Sequence, residues 1–430
     1  MAKRLVYLDN AATTPVRPEV LEAMLPYLGK DAFGNPSSPH RFGRAARAGV
    51  EEAKRTIALA LGVEPGHVIF TSGGTEADNL AVIGSALAAR DRGGPFRVAV
   101  TATEHKAVLA AAHAVKHLGG DEVVLPVDAS GVVDEAAVEQ ALASGVAVVS
   151  VMWVNNEVGT MQPVGRLAAR CCEADVPFHT DAVQAIGKVP VALRDIGCTL
   201  VTISGHKIGA PKGIGALIVR DRHAVEAIIH GGGQQFGLRP GTENVPGIIG
   251  LGRAVELAAH EQTEFAARVR ALRDELERRL LDVFPDAVIN GARAERAPHV
   301  ANVSIPGTDS EALLMHLDLA GIACSSGSAC STGAVEPSHV LTAMGVPREL
   351  GVAALRFSFG KDSAAEDVEV VGVRCRRSST RFALCPRSCT DERPRAGRHV
   401  GRGGLVRGGR VARGGRVRGH RRHHEAVLLR

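Results

Sequence analysis

No stretch of this 430-residue sequence is long and apolar enough to cross a bilayer. The most apolar internal run, Val146 to Val154, is about half the length a spanning helix needs. Lys3 and Arg4 precede only a short apolar stretch, Leu5 to Leu8, which Asp9 and Asn10 interrupt, so no signal-peptide core starts there. The eight cysteines follow no paired spacing. That excludes a disulfide-stapled scaffold and points to free thiols in a reducing cytosol. Cys324 and Cys330 lack a Cys-x2-Cys partner or a nearby histidine, and His113 and His117 lack an accompanying acid, so no metal set is expected. No repeat of about 20–50 residues is visible. Lysine is scarce, nine residues against 42 arginines. What remains is ordinary globular composition, 45% hydrophobic and 23% charged. It is incompatible with a disordered or fibrous chain and sufficient for two or three domains with a large core. The expectation is a soluble, cytoplasmic protein.

The net charge of +5 hides a break near residue 372. Residues 372–430 hold 17 arginines, no lysine and three acids, a net of +14, and residues 1–371 carry −9. The tail has ten glycines, three cysteines and a single aromatic residue, Phe382. Arg-Gly-Gly recurs at 402–404, 407–409 and 413–415, which would bind polyanions such as RNA without sequence preference, though with almost no base stacking. The composition also looks like GC-rich coding sequence read out of frame. The expectation is an acidic globular body ending at Val371, followed by a disordered or out-of-frame tail.

Between residues 55 and 260, short β-branched runs alternate with helical patterns. Strands are expected at 68–71, 97–101, 147–154, 176–180, 200–204 and 214–219, with helices at 76–90, 106–118, 134–143 and 167–174. Most of the strand runs are apolar throughout, as in strands covered on both faces. The fold class is therefore α/β with a mostly parallel central sheet, and a charged helix at about 261–281 leads into a second, smaller α/β region. In such sheets ligands sit beyond the carboxyl ends of the strands.

Three strand ends carry chemistry. After Thr71 comes Ser72-Gly73-Gly74-Thr75-Glu76-Ala77-Asp78, a turn into a helix with Thr75 as the expected cap and free amides facing outward, suited to a phosphate. After Phe178 comes His179-Thr180-Asp181, an acid that burial makes costly unless it meets a cation or hydrogen-bond donors. After Ile203 comes Ser204-Gly205-His206-Lys207, a lysine where arginine is this chain's default cation. A phosphate site, a carboxylate for a protonated ring nitrogen and a lysine for an aldehyde are together what pyridoxal phosphate requires. His105, in Thr103-Glu104-His105-Lys106, is a candidate to stack on its ring. A separate run of small residues, Ser325-Ser326-Gly327-Ser328-Ala329-Cys330-Ser331, predicts a mobile loop over 324–336 presenting a nucleophilic thiol. Cys171, Cys172 and Cys198 read as packing residues.

These motifs resemble the pyridoxal-phosphate-dependent cysteine desulfurases of the class V aminotransferase superfamily, the branch that feeds iron–sulfur cluster assembly. The likeness runs from Tyr7-Leu8-Asp9-Asn10-Ala11-Ala12-Thr13-Thr14-Pro15 through Asn155-Asn156-Glu157, Ser204-Gly205-His206-Lys207 and Gly241-Thr242-Glu243-Asn244 to Ala354-Leu355-Arg356-Phe357-Ser358. It implies the type I fold of pyridoxal-phosphate-dependent transferases: an N-terminal segment 1–15 joining the small domain, a large cofactor domain 16–260 and a small domain 261–371. It further implies that Lys207 is the Schiff-base lysine and that Gly74, Thr75, Ser204 and His206 hold the phosphate, with Thr242 reaching in from the second subunit of a homodimer. Asp181 would face the ring nitrogen, Gln184 the ring hydroxyl, and His105 the ring face. Asn156 and Arg356 would hold the carboxylate of L-cysteine, and Cys330 would carry the sulfur as a persulfide to a scaffold or another acceptor. The rival readings are a selenocysteine lyase or an aminotransferase of the same superfamily; an aminotransferase needs no thiol such as Cys330. An extra thiol, Cys324, is expected to do nothing, and the small domain to lack its closing helix.

Overall fold

The structure, a computed structural model, describes residues 4–326, 329–331 and 334–382; side chains at 329–331, 334–335 and 376–382 lie outside that description. Its centre is a seven-stranded sheet in the order Val68–Thr71, Gly215–Val219, Leu200–Ser204, Phe178–Asp181, Val148–Ser150, Arg97–Thr101 and Asp121–Leu125. Every pairing is parallel except those of Gly215–Val219, which is antiparallel to both its neighbours. Four of the five strands between the edges are buried along their whole length, and only Arg97 of the fifth is partly exposed, because helices cover both faces of the sheet. The strand Asp121–Leu125 was not expected. It begins with two acids and is only half-buried at the sheet edge, so its sequence carries neither the continuous apolar run nor a clean alternation.

The smaller unit is a four-stranded antiparallel sheet in the order Ser325–Ser326, Ala354–Ser358, Val300–Ser304, Val288–Ile289. Residues of the N-terminal segment join it: Val6–Tyr7 runs parallel to Ile322–Ala323, and Asp9 bridges to Ser358. One helix, Val245–Val283, serves both regions. Its first half contributes Ile248, Leu251 and Val255 to the main core, and its second half contributes Val269, Leu276 and Leu280 to the small one. The division expected at 260/261 therefore falls inside a 39-residue helix, about 58 Å long, and not in a linker.

Two further expectations are corrected. The small domain does have a closing helix, Ala365–Phe382, which runs through the expected break at residue 372. Val368, Val371 and Cys375 are all fully buried at helical spacing in one core. Sequence reading stopped one turn early because it did not count a cysteine as apolar, although a free thiol packs as a small hydrophobe. Residues 383–430, on which the RNA-binding and out-of-frame readings of the tail mainly rest, lie outside the described residues. The segment expected as a loop at 324–336 contains a short hairpin, Ala329–Ser331 paired with Ala334–Glu336, which sets Cys330 opposite Val335. Among the described residues no helix is long and apolar enough to cross a membrane, and no cluster of histidine, cysteine and acidic residues could hold a metal.

Candidate active site

Beyond the carboxyl ends of the parallel strands lies a cavity of about 360 Å³, roofed by Ala11 and Ala12 of the N-terminal segment. The helix Gly74–Asp91 points its first turn into it. Gly73 precedes that helix at φ 155°, a conformation that side-chain-bearing residues rarely adopt, and no side chain caps the helix. Thr75 therefore does not act as the cap that its spacing to Asp78 suggests. It lines the cavity instead, so the first amides and the positive end of the helix dipole remain directed at a ligand. A methyl group on Gly74 would lie 3.3 Å from a Val183 methyl, close enough to need a small shift, and 3.5 Å from Ser204 Cβ, so the glycine sits in close contact with the neighbouring strand ends. Ser204 and His206 complete this end of the cavity. Burial and the positive charges of Lys207, Lys212 and Lys188 push the His206 imidazole down to about 4, and its Nδ1 lies 3.1 Å from Thr13 Oγ1.

Asp181 ends its strand 5% exposed, with Oδ1 accepting the Val183 amide at 2.9 Å. Burial raises its carboxyl, and the Val183 amide bond and the positive charges of Lys207 and Lys188 oppose that. Gln184 is oriented by two partners: Nε2 donates to Ala11 O at 2.9 Å, and Oε1 lies 3.2 Å from Nε2 of fully buried His299. His105 caps the helix Lys106–His117, its Nδ1 accepting the Ala107 amide at 3.1 Å. With Nδ1 an acceptor, the neutral ring carries its proton on Nε2. Burial pushes this imidazole below its ordinary value.

Lys207 follows Leu200–Ser204 through the turn Gly205–Lys207. Nζ donates to Ala11 O at 2.7 Å and Ala12 O at 2.6 Å. Burial and the Arg356 charge bring its ammonium down to about 8. Arg356, on the small-domain strand Ala354–Ser358, enters from the opposite side: Nη2 donates to Asp9 Oδ1 at 2.7 Å and Nη1 to Asn156 O at 3.1 Å. Its buried Nε has no partner. The cavity thus brings together Gly74, Thr75, His105, Asn156, Asp181, Gln184, Ser204, His206, Lys207 and Arg356.

Thr242 is exposed and outside this cavity, and the Cys330 side chain is outside the described part. Sequence reading missed several contributors. Asp9, Ala11 and Ala12 sit in a motif it quoted, but backbone carbonyls and a surface-looking acid give no chemical signal. Asp78, a cavity-lining carboxyl 1% exposed, was taken for half of a helix cap.

The residues fit pyridoxal phosphate. The uncapped helix end suits its phosphate, the buried Asp181 carboxyl lacks the cation that a protonated ring nitrogen would supply, and Lys207 is an amine poised near neutrality for an aldehyde. The guanidinium of Arg356, which lines the cavity, supplies a positive charge for a substrate carboxylate.

Comparison with known proteins agrees. The profile of the family described as aminotransferase class-V matches residues 6–371. The chain is 46% identical over 370 residues to the cysteine desulfurase IscS of Dictyoglomus turgidum, covering 85% of this chain and 92% of that protein. It is 47% identical over 368 residues to a cysteine desulfurase of Gluconacetobacter diazotrophicus, covering 85% and 91%. A solved NifS-like protein superposes with a TM-score of 0.81 at 35% identity, covering 88% of this chain and all of that one.

Proposed function

The chain belongs to the class-V aminotransferase family and is a pyridoxal-phosphate-dependent cysteine desulfurase; within it, we propose that Lys207 carries the cofactor and moves the substrate proton, and that Cys330 takes the sulfur. The observation that carries this assignment is Lys207 Nζ, held between two carbonyls at the mouth of the phosphate cradle with Asp181 and Arg356 in the same cavity. The aminotransferase and selenocysteine lyase readings are not favoured.

When bound, pyridoxal phosphate supplies an electron sink that weakens the bonds to the substrate's α-carbon. Gly74, Thr75, Ser204 and His206 would hold the phosphate, Asp181 the ring nitrogen, Gln184 the ring hydroxyl and His105 the ring face. Arg356 would hold the carboxylate of cysteine through its guanidinium charge, with Asp9 and the Asn156 carbonyl fixing its position. Asn156 lines the same side. Lys207 Nζ, freed by the incoming amino group, accepts the α-proton and returns a proton to carbon. The Cys330 thiolate bonds to the substrate sulfur as the carbon–sulfur bond breaks. The electron pair stays with carbon, leaving alanine and a persulfide on Cys330.

The sulfur would pass to a scaffold or other acceptor for iron–sulfur cluster assembly. A homodimer is part of this reading. Thr242 is exposed as a donor to a second copy's phosphate site would be, and the helix Pro18–Leu28 presents Leu21, Leu25 and Leu28 outward at 48%, 55% and 61% exposure. A reducing cytosol suits Cys171, Cys172, Cys198, Cys324 and Cys375, all free thiols.

The proposal is tested by cysteine analogues. Arg356→Leu removes a charged donor worth about 1.5–3 kcal/mol, so kcat/KM for cysteine should fall on the order of tenfold to a hundredfold. The reaction of the bound cofactor with cysteamine, which has no carboxylate, should change little. Equal losses for the two would remove Arg356 from the substrate site. The pH dependence of cofactor capture is a second check. Only the neutral amine attacks an aldehyde, and lowering the ammonium to about 8 makes that form available earlier. Capture by the apoprotein should rise with pH through about 8 and then level. A rise continuing toward the ordinary lysine value of 10.5 would contradict the buried setting of Lys207.

A further inference from the structure

We infer that Glu104, a residue outside the cavity, is the positioning residue for His105, joining two cavity walls through one neutral carboxyl group; this rests on the proposed cofactor site. Glu104 is wholly buried between the end of Arg97–Thr101 and the start of the helix Lys106–His117. Its Oε1 accepts Thr101 Oγ1–H at 2.5 Å, which closes the turn that delivers His105. The same oxygen accepts the Met152 amide at 2.6 Å. Met152 itself lines the cavity, and the chain beyond it leads to Asn156. One oxygen atom thus ties the wall that carries the ring-stacking histidine to the wall that carries the substrate amide.

Side-chain contacts to its backbone carbonyls reinforce the same turn. Asn155 Nδ2 donates to Thr103 O at 2.9 Å, and His339 Nε2 lies 2.9 Å from Glu104 O. His339 begins the helix His339–Ala343, just after the hairpin that holds Cys330. The neighbouring Ser338 donates to Glu157 across the same junction.

The remaining oxygen, Oε2, is buried without any partner. An ionised carboxylate could not sit there cheaply, because half of its charge would face no donor. The charged and titratable groups nearby argue the same way. Asp181 is negative and opposes a second negative charge, Asp78 is another buried acid, the adjoining His105 is itself pushed below its ordinary value by burial, and His339 meets only the Glu104 carbonyl. Burial accordingly raises the Glu104 carboxyl to about 8. Of the three buried acids here, Asp181 alone is left to answer a positive ring nitrogen, and Glu104 serves as a neutral clamp.

A neutral clamp can be replaced by an amide, since glutamine keeps the accepting oxygen. Glu104→Ala should weaken pyridoxal phosphate binding by the apoprotein, titrated by absorbance, by on the order of tenfold. It should also lower kcat by on the order of tenfold or more, because small misplacements of reacting groups carry that cost. Glu104→Gln should recover both to within about threefold of the unaltered chain. In the His105→Ala background, adding Glu104→Ala should change cofactor binding by less than about twofold, because a residue that acts through His105 has nothing left to position. Full additivity of the two losses would overturn the inference, as would a glutamine variant no better than the alanine one while both melt like the parent. The cofactor titration is readable even if the parent releases no alanine from cysteine, so failure of the functional reading and failure of this inference are separable.

Discussion

Lys207→Ala is expected to lower alanine release from cysteine by on the order of 10⁴-fold at saturating pyridoxal phosphate, the upper range for loss of a proton-transferring side chain. In the proposed role the lysine would perform two tasks at one atom. Nζ would be the attachment point for an aldehyde and, once displaced, the base for the substrate's α-proton. Both depend on its setting. Two backbone carbonyls hold the amine from one side, while burial and Arg356 lower its ammonium to about 8. Lys188 is the other buried lysine near the site, also lowered, to about 7. It cannot substitute, because its Nζ is turned to Val183 O at 3.3 Å and it does not line the cavity. The variant should still take up the cofactor through the phosphate cradle but should lose it on gel filtration. Treatment with borohydride should fix cofactor to the parent and none to the variant. Turnover above about one-tenth of the parent would remove Lys207 from the chemistry.

Cys330→Ala should behave in the opposite manner: cofactor bound normally and trapped normally by borohydride, with alanine release reduced by on the order of 10³-fold or more. The expectation follows from where the other thiols lie. None of the described cysteines lines the cavity. Burial pushes Cys171, Cys198 and Cys375 up to about 12 and Cys324 higher still, so these are thiols and not thiolates at neutral pH. Cys172 is exposed, but on the helix Val164–Glu173 away from the site. The extra thiol Cys324 packs against the small-domain core. After reaction with isotopically labelled cysteine, mass spectrometry should find one added sulfur on the parent at residue 330 and none on the variant. A persulfide elsewhere with undiminished alanine release would assign the transfer to another cysteine.

How much of this was legible in the sequence depended on whether a residue's role is local. The parallel strands announced themselves because burial on both faces demands unbroken apolar runs, and their ends directed attention to Gly74, Asp181 and Lys207. The edge strand Asp121–Leu125 was hidden because an edge tolerates acids. Thr-x-x-Asp spacing makes Thr75 look like a cap, but the backbone of Gly73 starts the helix two residues earlier and turns Asp78 inward. The closing helix was not expected, yet it runs to Phe382, and the buried Cys375 carries the Val368–Val371 face one turn past the expected break. The contributions of Asp9, Ala11 and Ala12 are long-range: they depend on residues 9–14 crossing beside Lys207 and Arg356, separated from them by almost 200 and 350 positions. No local spacing records that. Glu104 is similar, since its value lies in Met152, 48 residues away.

The central claim is that this cavity converts cysteine to alanine with pyridoxal phosphate and hands the sulfur to a thiol. Alanine and sulfide should be quantified together after incubating the purified chain with L-cysteine and a thiol reductant, with and without added pyridoxal phosphate. The account predicts equal amounts of the two products, both dependent on the cofactor. Pyruvate in place of alanine, or cofactor-loaded protein that forms neither product, would contradict it.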